Sequence, residues 1–167
     1  MNKFVFAFTI TMFIFCGANA QVKGATVGLR LANEAQGAEI SLQLPCSTKN
    51  RIELDLGLNN LNGNKSGFEL SGVYQWVWKL NQVATGLNWY AGLGATVGTY
   101  SPDFGIGLVG QIGLEYNFNI PLQISLDWRP TLFNSYYTYY GGNGLSIRYR
   151  FLILIYNGIT CDTIIVV

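Results

Sequence analysis

The sequence predicts an all-β protein: an eight-stranded antiparallel up-and-down transmembrane β-barrel. Three observations carry that prediction. Apolar and polar residues alternate with period two in eight separate segments. Charged residues make up only 11% of the chain, where a soluble globular domain carries roughly 25%. Most of those charges fall on one face of the alternating segments. The 167 residues suffice for one domain, and no stretch of the body reaches the roughly 20 apolar residues of a spanning helix. A chain that is 50% hydrophobic and so lightly charged enters a membrane, if at all, as strands.

The first twenty residues stand apart. In Met1–Ala20, Lys3 supplies a positive start, Phe4 to Cys16 an apolar core, and Ala18-Asn19-Ala20 a small-x-small cleavage site. This reads as a secretory signal peptide, with Gln21 the expected mature N-terminus. Its apolar core, about 13 residues, is too short to span. Cys16 is not expected to be acylated, since the bulky Phe15 precedes it. Cleavage leaves Cys46 and Cys161, too few and too far apart for a disulfide framework. It also leaves nine basic and nine acidic residues, so there is no basic field for nucleic acid.

The alternation defines the strands in order: Ala25–Leu31, Glu39–Leu44, Arg51–Asn59, Phe68–Leu80, Trp89–Tyr100, Phe104–Phe118, Leu122–Arg129 and Leu145–Phe151. The clearest is Leu122–Arg129, with Leu122, Ile124, Leu126 and Trp128 on one face and Gln123, Ser125, Asp127 and Arg129 on the other. Arg51–Asn59 and Leu145–Phe151 repeat the pattern. Turn-formers separate the segments at Asn33–Gly37, Ser47–Asn50, Asn59–Gly67, Asn81–Asn88, Ser101–Asp103, Asn119 and Asn134–Gly144. An even number of antiparallel strands with short connections closes into a barrel without edges.

The charges decide which face is outside. Arg30, Arg51, Lys79, Arg129, Arg148 and Arg150 share the polar face with Glu39, Glu53, Asp55, Glu69, Glu115 and Asp127. Six cations and six anions on one face point to a polar interior and a balanced internal ion-pair network, because an unpaired charge in a narrow space costs several kcal/mol. Gly28, Gly57, Gly92, Gly94, Gly98, Gly105, Gly107 and Gly113 suit the cramped lumen of an eight-stranded barrel. Trp76, Trp78, Tyr116, Phe118, Trp128, Tyr149 and Phe151 lie on the apolar face near strand ends, where aromatic girdles meet the lipid–water interface. A soluble lipocalin-like ligand-binding barrel, with the faces reversed, is the less favoured alternative.

The signal peptide, the eight amphipathic strands, Gly113-Leu114-Glu115-Tyr116 leading into Ile120–Pro130, and the closing Gly144–Phe151 ("GLSIRYRF") resemble the small outer-membrane β-barrel family. That family shares its architecture with OmpX and the OmpA transmembrane domain. The resemblance spans Gln21–Phe151 and implies the outer membrane of a Gram-negative bacterium, insertion by the barrel-assembly machinery, and outer-membrane lipid as surroundings. Such barrels normally end in the terminal aromatic, whereas sixteen residues follow Phe151 here. Leu152–Val167 breaks the alternation, so it is expected to form an extension outside the barrel. Its apolar end, Thr163–Val167, has the composition of an aggregation hazard.

Catalysis is not expected. The chain has no His, which removes Ser–His chemistry and the commonest zinc ligand; no metal and no cofactor are implied. Glu53 and Asp55, two residues apart on one face, are the only hint of a carboxylate pair, and structural use is the preferred reading. The run Gly105–Gly110 imitates a nucleotide-binding fingerprint but opens no helix. The expected role is that of a monomeric structural or surface-interaction barrel with a plugged lumen; a small channel or transport protein is the alternative. Tyr136, Tyr137, Tyr139 and Tyr140 are the candidate surface-loop contacts, though an aromatic girdle is the plainer reading of them.

Overall fold

The computed structural model describes residues 24–32, 37–47, 49–61, 65–100, 103–133, 138–139 and 142–151. The expected leader Met1–Ala20 and the extension Leu152–Val167 lie outside the described residues. Ten strands form in chain order: β1 (Ala25–Ala32), β2 (Ala38–Pro45), β3 (Asn50–Leu61), β4 (Lys65–Lys79), β5 (Leu87–Tyr100), β6 (Asp103–Asn117), β7 (Leu122–Trp128), β8 (Thr131–Phe133), β9 (Thr138–Tyr139) and β10 (Asn143–Phe151). No helix occurs among the described residues.

These ten strands are eight staves. β7 and β8 are one stave interrupted at Arg129-Pro130, because proline has no N–H for the ladder. The stave remains in register across the gap. Ile112 of β6 faces Trp128, Val109 faces Thr131, and between them Gly110 N donates to Pro130 O at 3.1 Å. β9 follows the same stave on its other side, with Thr131 opposite Tyr139, and β10 continues below it. Every neighbouring pair is antiparallel, and the last stave pairs with the first from Ala25 opposite Phe151 to Ala32 opposite Gly144. The sheet is a closed eight-stranded antiparallel barrel.

Register makes the wall staggered. Pro45 ends β2 beside the start of β1. The ladder leading from it through Arg51, Gln75, Gly92, Gln111 and Arg129 arrives at Gly142, two residues beyond the partner of Ala32. One circuit therefore climbs more than the length of β1. Such a stagger accompanies strands tilted by roughly 35–45°. We call the end where β1 begins the lower rim; its turns are residues 46–49, 80–86 and 118–121. Gly86 needs its freedom there, since its φ is +92° in the turn that delivers Leu87 to β5.

The expected hairpin boundaries shift at the upper rim. β3 and β4 continue pairing through Asn59–Gly67, Asn60–Ser66 and Leu61–Lys65, and β5 and β6 through Tyr100–Asp103. The alternation fades in these polar residues, but two aligned strands carry their backbone ladder on until the chain must reverse. Tyr139 is a strand residue of β9 rather than a loop residue; Tyr136, Tyr137 and Tyr140 lie outside the described residues. The Gly105–Gly110 run lies within β6, with no helix beside it.

The faces separate cleanly. Outward side chains include Leu29, Ile40, Leu58, Leu70, Leu93, Leu108, Leu126 and Ile147, with Leu58 74% and Leu108 67% exposed. Inward ones are mostly polar and buried, the reverse of a lipocalin interior. Since Ala25–Phe151 is the final closing pair, truncation after Phe151 removes no described ladder partner. The truncated chain is expected to keep the barrel's heat-dependent gel mobility, and its loss would make the extension part of the fold.

Candidate functional site: the lumen

Two linked clusters fill the interior. In the first, Arg30 on β1 reaches Asp127 on β7, with Nη2–Oδ1 at 2.6 Å and Nε–Oδ1 at 3.1 Å, and Glu39 on β2 through Nη1 at 3.2 Å. Arg129 bridges the opposite way, donating from Nη1 to Asp55 Oδ2 at 2.6 Å and from Nη2 to both oxygens of Glu39 at 2.5 and 2.6 Å. Arg30 also donates to Gly142 O at 3.1 Å. The five charged side chains are fully buried, and Glu39 joins the two guanidiniums.

The second cluster lies nearer the lower rim. Arg148 of β10 pairs with Glu53 of β3 at 3.1 Å while donating to Ser41 Oγ and Ser125 Oγ at 2.9 and 2.8 Å. Arg51 pairs with Glu115 at 2.5 Å, donates to Gln75 Oε1 at 2.5 Å, and lies 4.9 Å from the Tyr90 ring centroid. Glutamines bind the pieces together. Gln43 and Gln111 donate to Glu53 at 2.6 and 3.0 Å, and Gln75 donates to Gln111 at 2.8 Å. Asn88, Asn117 and Gln123 donate to Glu115. Each arginine crosses the lumen, as charge-assisted contacts in a poorly hydrated space demand.

Ten of the twelve expected lumen charges take this position: Arg30, Glu39, Arg51, Glu53, Asp55, Glu69, Glu115, Asp127, Arg129 and Arg148 are all buried. Glu69 accepts from Ser71 Oγ and Thr96 Oγ1 at 3.3 and 3.1 Å. Two expectations are corrected. Lys79 has the inward parity of β4 but sits on its last residue, past the rim, and is exposed. Arg150 is half-buried at the lower mouth, where Nη2 donates to Phe118 O and Ile120 O at 2.5 and 2.9 Å and ties the last strand to the turn at residues 118–121. The expected six-against-six balance is therefore four guanidiniums against six carboxylates among the described interior residues.

Tyr90, the glutamines and the serines were recoverable from parity alone, since they occupy the inward positions of their strands. Val73 and Val109 share that inward parity but are apolar. They are 0% and 2% exposed and break the polar pattern, flanking Gly94 across β4–β6. Glu53 and Asp55, the only carboxylate pair that suggested chemistry, are both buried and held by Gln43, Gln111, Arg148 and Arg129. Glycines make room for the larger groups. A methyl on Gly113 would lie 2.6 Å from the Tyr90 hydroxyl, and one on Gly144 2.5 Å from Arg30 Cζ.

Four aromatic pairs gather at the lower rim. Trp78 and Trp89 stack at 4.2 Å, while Tyr74–Trp76, Tyr116–Phe118 and Tyr149–Phe151 meet edge to face. Trp128, expected near a strand end, lies within the wall because its stave runs on to Phe133. The sequence matches no protein-family model and no curated protein.

Arg129→Ala leaves Asp55 without its partner and Glu39 with one guanidinium. It is expected to destabilise the barrel by about 3–5 kcal/mol, read as a lower urea midpoint in detergent micelles; Lys79→Ala should stay within roughly 0.5 kcal/mol. Gly144→Ala must displace the Arg30 guanidinium and should cost about 1–3 kcal/mol. Gly110→Ala, whose methyl would meet only Pro130 Cγ at 3.7 Å, is expected to be tolerated in the same assay.

Proposed function

We propose that this chain is an integral outer-membrane β-barrel, a monomer with a plugged, ion-paired lumen and a structural or surface-interaction role. One observation carries the reading. An apolar outer face runs around the whole wall while every fully buried charge is inside. In water that face would be a large exposed apolar surface, which soluble monomers avoid; in lipid it is the expected one. The aromatic cluster at one rim fits a lipid–water interface. Secretion through a cleaved leader rests on the composition of Met1–Ala20, and insertion by the barrel-assembly machinery on the family resemblance.

The surface role is supported by strand length. β3 to β6 run 12 to 15 residues, more than the roughly 9–11 that a tilted strand needs to cross a bilayer. β1 and β2 have 8 each. The upper ends of the β3–β4 and β5–β6 hairpins therefore project as a paired sheet that can meet partners outside the membrane. Catalysis, cofactors and nucleic-acid binding form no part of this reading.

Purified protein in detergent is expected to migrate differently on gels before and after boiling, with β-type circular dichroism. A detergent-free soluble monomer would contradict the reading. The same protein in planar bilayers is expected to give no stable open level, since the arginines cross the lumen. Steady channels altered by Asp127→Ala or Arg129→Ala would establish a transport role instead.

A further inference from the structure

The charged side chains that reach solvent are not scattered. Among residues whose side chains are described, they are Lys49, Lys79 and Arg150. All three are cationic and all three stand at the lower rim. The described carboxylates are buried inside the barrel. The turns of this rim, residues 46–49, 80–86 and 118–121, contain no Asp or Glu. Lys49 and Lys79 are near neighbours: Lys49 O accepts from Val77 N at 2.7 Å, and Lys79 is two residues further along β4.

Beside the lysines lies the densest part of the aromatic cluster. Trp76 and Trp78 are 39% and 41% exposed on the outer face of β4, Trp78 stacks on Trp89, and the Tyr74 hydroxyl accepts from Asn50 Nδ2 at 2.7 Å. Indole rings settle at the headgroup level of a bilayer, and lysine stems extend along apolar surface to place their ammonium groups just beyond it. Resting on the membrane reading above, we propose that the Lys49–Lys79 rim is a docking surface for anionic phospholipid headgroups. The phosphates of the adjoining leaflet lie over the two ammonium groups, with the Trp76, Trp78 and Trp89 rings against the acyl boundary. Charge complementarity selects the partner: a rim whose exposed charges, among the described residues, are all cationic favours a leaflet bearing net negative charge.

Three of the four tryptophans belong to this rim and report on the lipid beside it. The protein is reconstituted in phosphatidylcholine vesicles with a minor fraction of phosphatidylglycerol, and one lipid at a time carries brominated chains that quench indole fluorescence on contact. At equal mole fraction, brominated phosphatidylglycerol is expected to quench severalfold more strongly than brominated phosphatidylcholine. That excess should disappear in 0.5 M salt, which shortens the screening length to a few ångströms, and in the Lys49→Gln/Lys79→Gln variant. Lys49→Arg/Lys79→Arg should retain it. Equal quenching by the two lipids in the wild type, or an excess unchanged in the glutamine variant, overturns the proposal while leaving the membrane reading intact. No quenching by either lipid overturns the membrane reading itself.

Discussion

Closing eight strands on a polar interior imposes one constraint on everything else: charged groups in a space too narrow for bulk water must find each other. An isolated buried charge is far too costly to keep, and a buried pair is tolerable only with good geometry and full hydrogen bonding. Arg30, Arg129, Arg148 and Arg51 each pair with a carboxylate across the lumen, although among the described residues Arg51 Nη2 and Arg129 Nε make no hydrogen bond of their own. Each contact is then also a statement about register. Shifting β7 by one residue would turn Asp127 outward and place Leu126 beside Arg30. The ion pairs, more than an apolar core, specify which pairing of strands is correct.

Glycine and glutamine make that solution possible. A fork of four guanidiniums needs volume, and the wall yields it where Gly144 lies against Arg30 and Gly113 against Tyr90. The glutamines Gln43, Gln75 and Gln111 extend single ion pairs into a continuous network without adding charge. Where side chains are absent, at Gly94, Val73 and Val109 close the gap with apolar volume. Among the described side chains, six carboxylates and four guanidiniums lie inside, and the exposed cations stand at the lower rim.

Much of this was legible in the sequence because a strand's parity is the most robust signal a chain carries. Leu122–Arg129 assigns its own faces, and Asp127 and Arg129 land where that assignment puts them. What parity cannot supply is depth. Lys79 and Arg150 obey the inward pattern, yet each stands at a strand end, where the lumen has already opened to solvent; the alternation is identical for a residue inside the barrel and one just past it. Strand length was misread for a related reason. Asn59–Gly67 has turn composition, but its backbone pairs on to Leu61 and Lys65 because the ladder below has already aligned the two strands. Pro130 was the opposite case, a visible break in one stave that leaves the register untouched. Arg30 and Glu39 are direct cross-strand partners of one hairpin. The carboxylate partners of Arg51, Arg129 and Arg148 include residues across the lumen, at separations set by the stagger of the whole wall, and these were beyond the sequence.

We propose that the barrel, polar inside, faces lipid with its outer wall. A spin-label scan along Asn143–Phe151, one cysteine at a time in an otherwise cysteine-free chain reconstituted in vesicles, tests it most directly. Accessibility to dissolved oxygen is expected to peak at positions 145, 147 and 149 and to fall to a minimum at 146 and 148. An inverted pattern, or one with no period of two, would contradict the account.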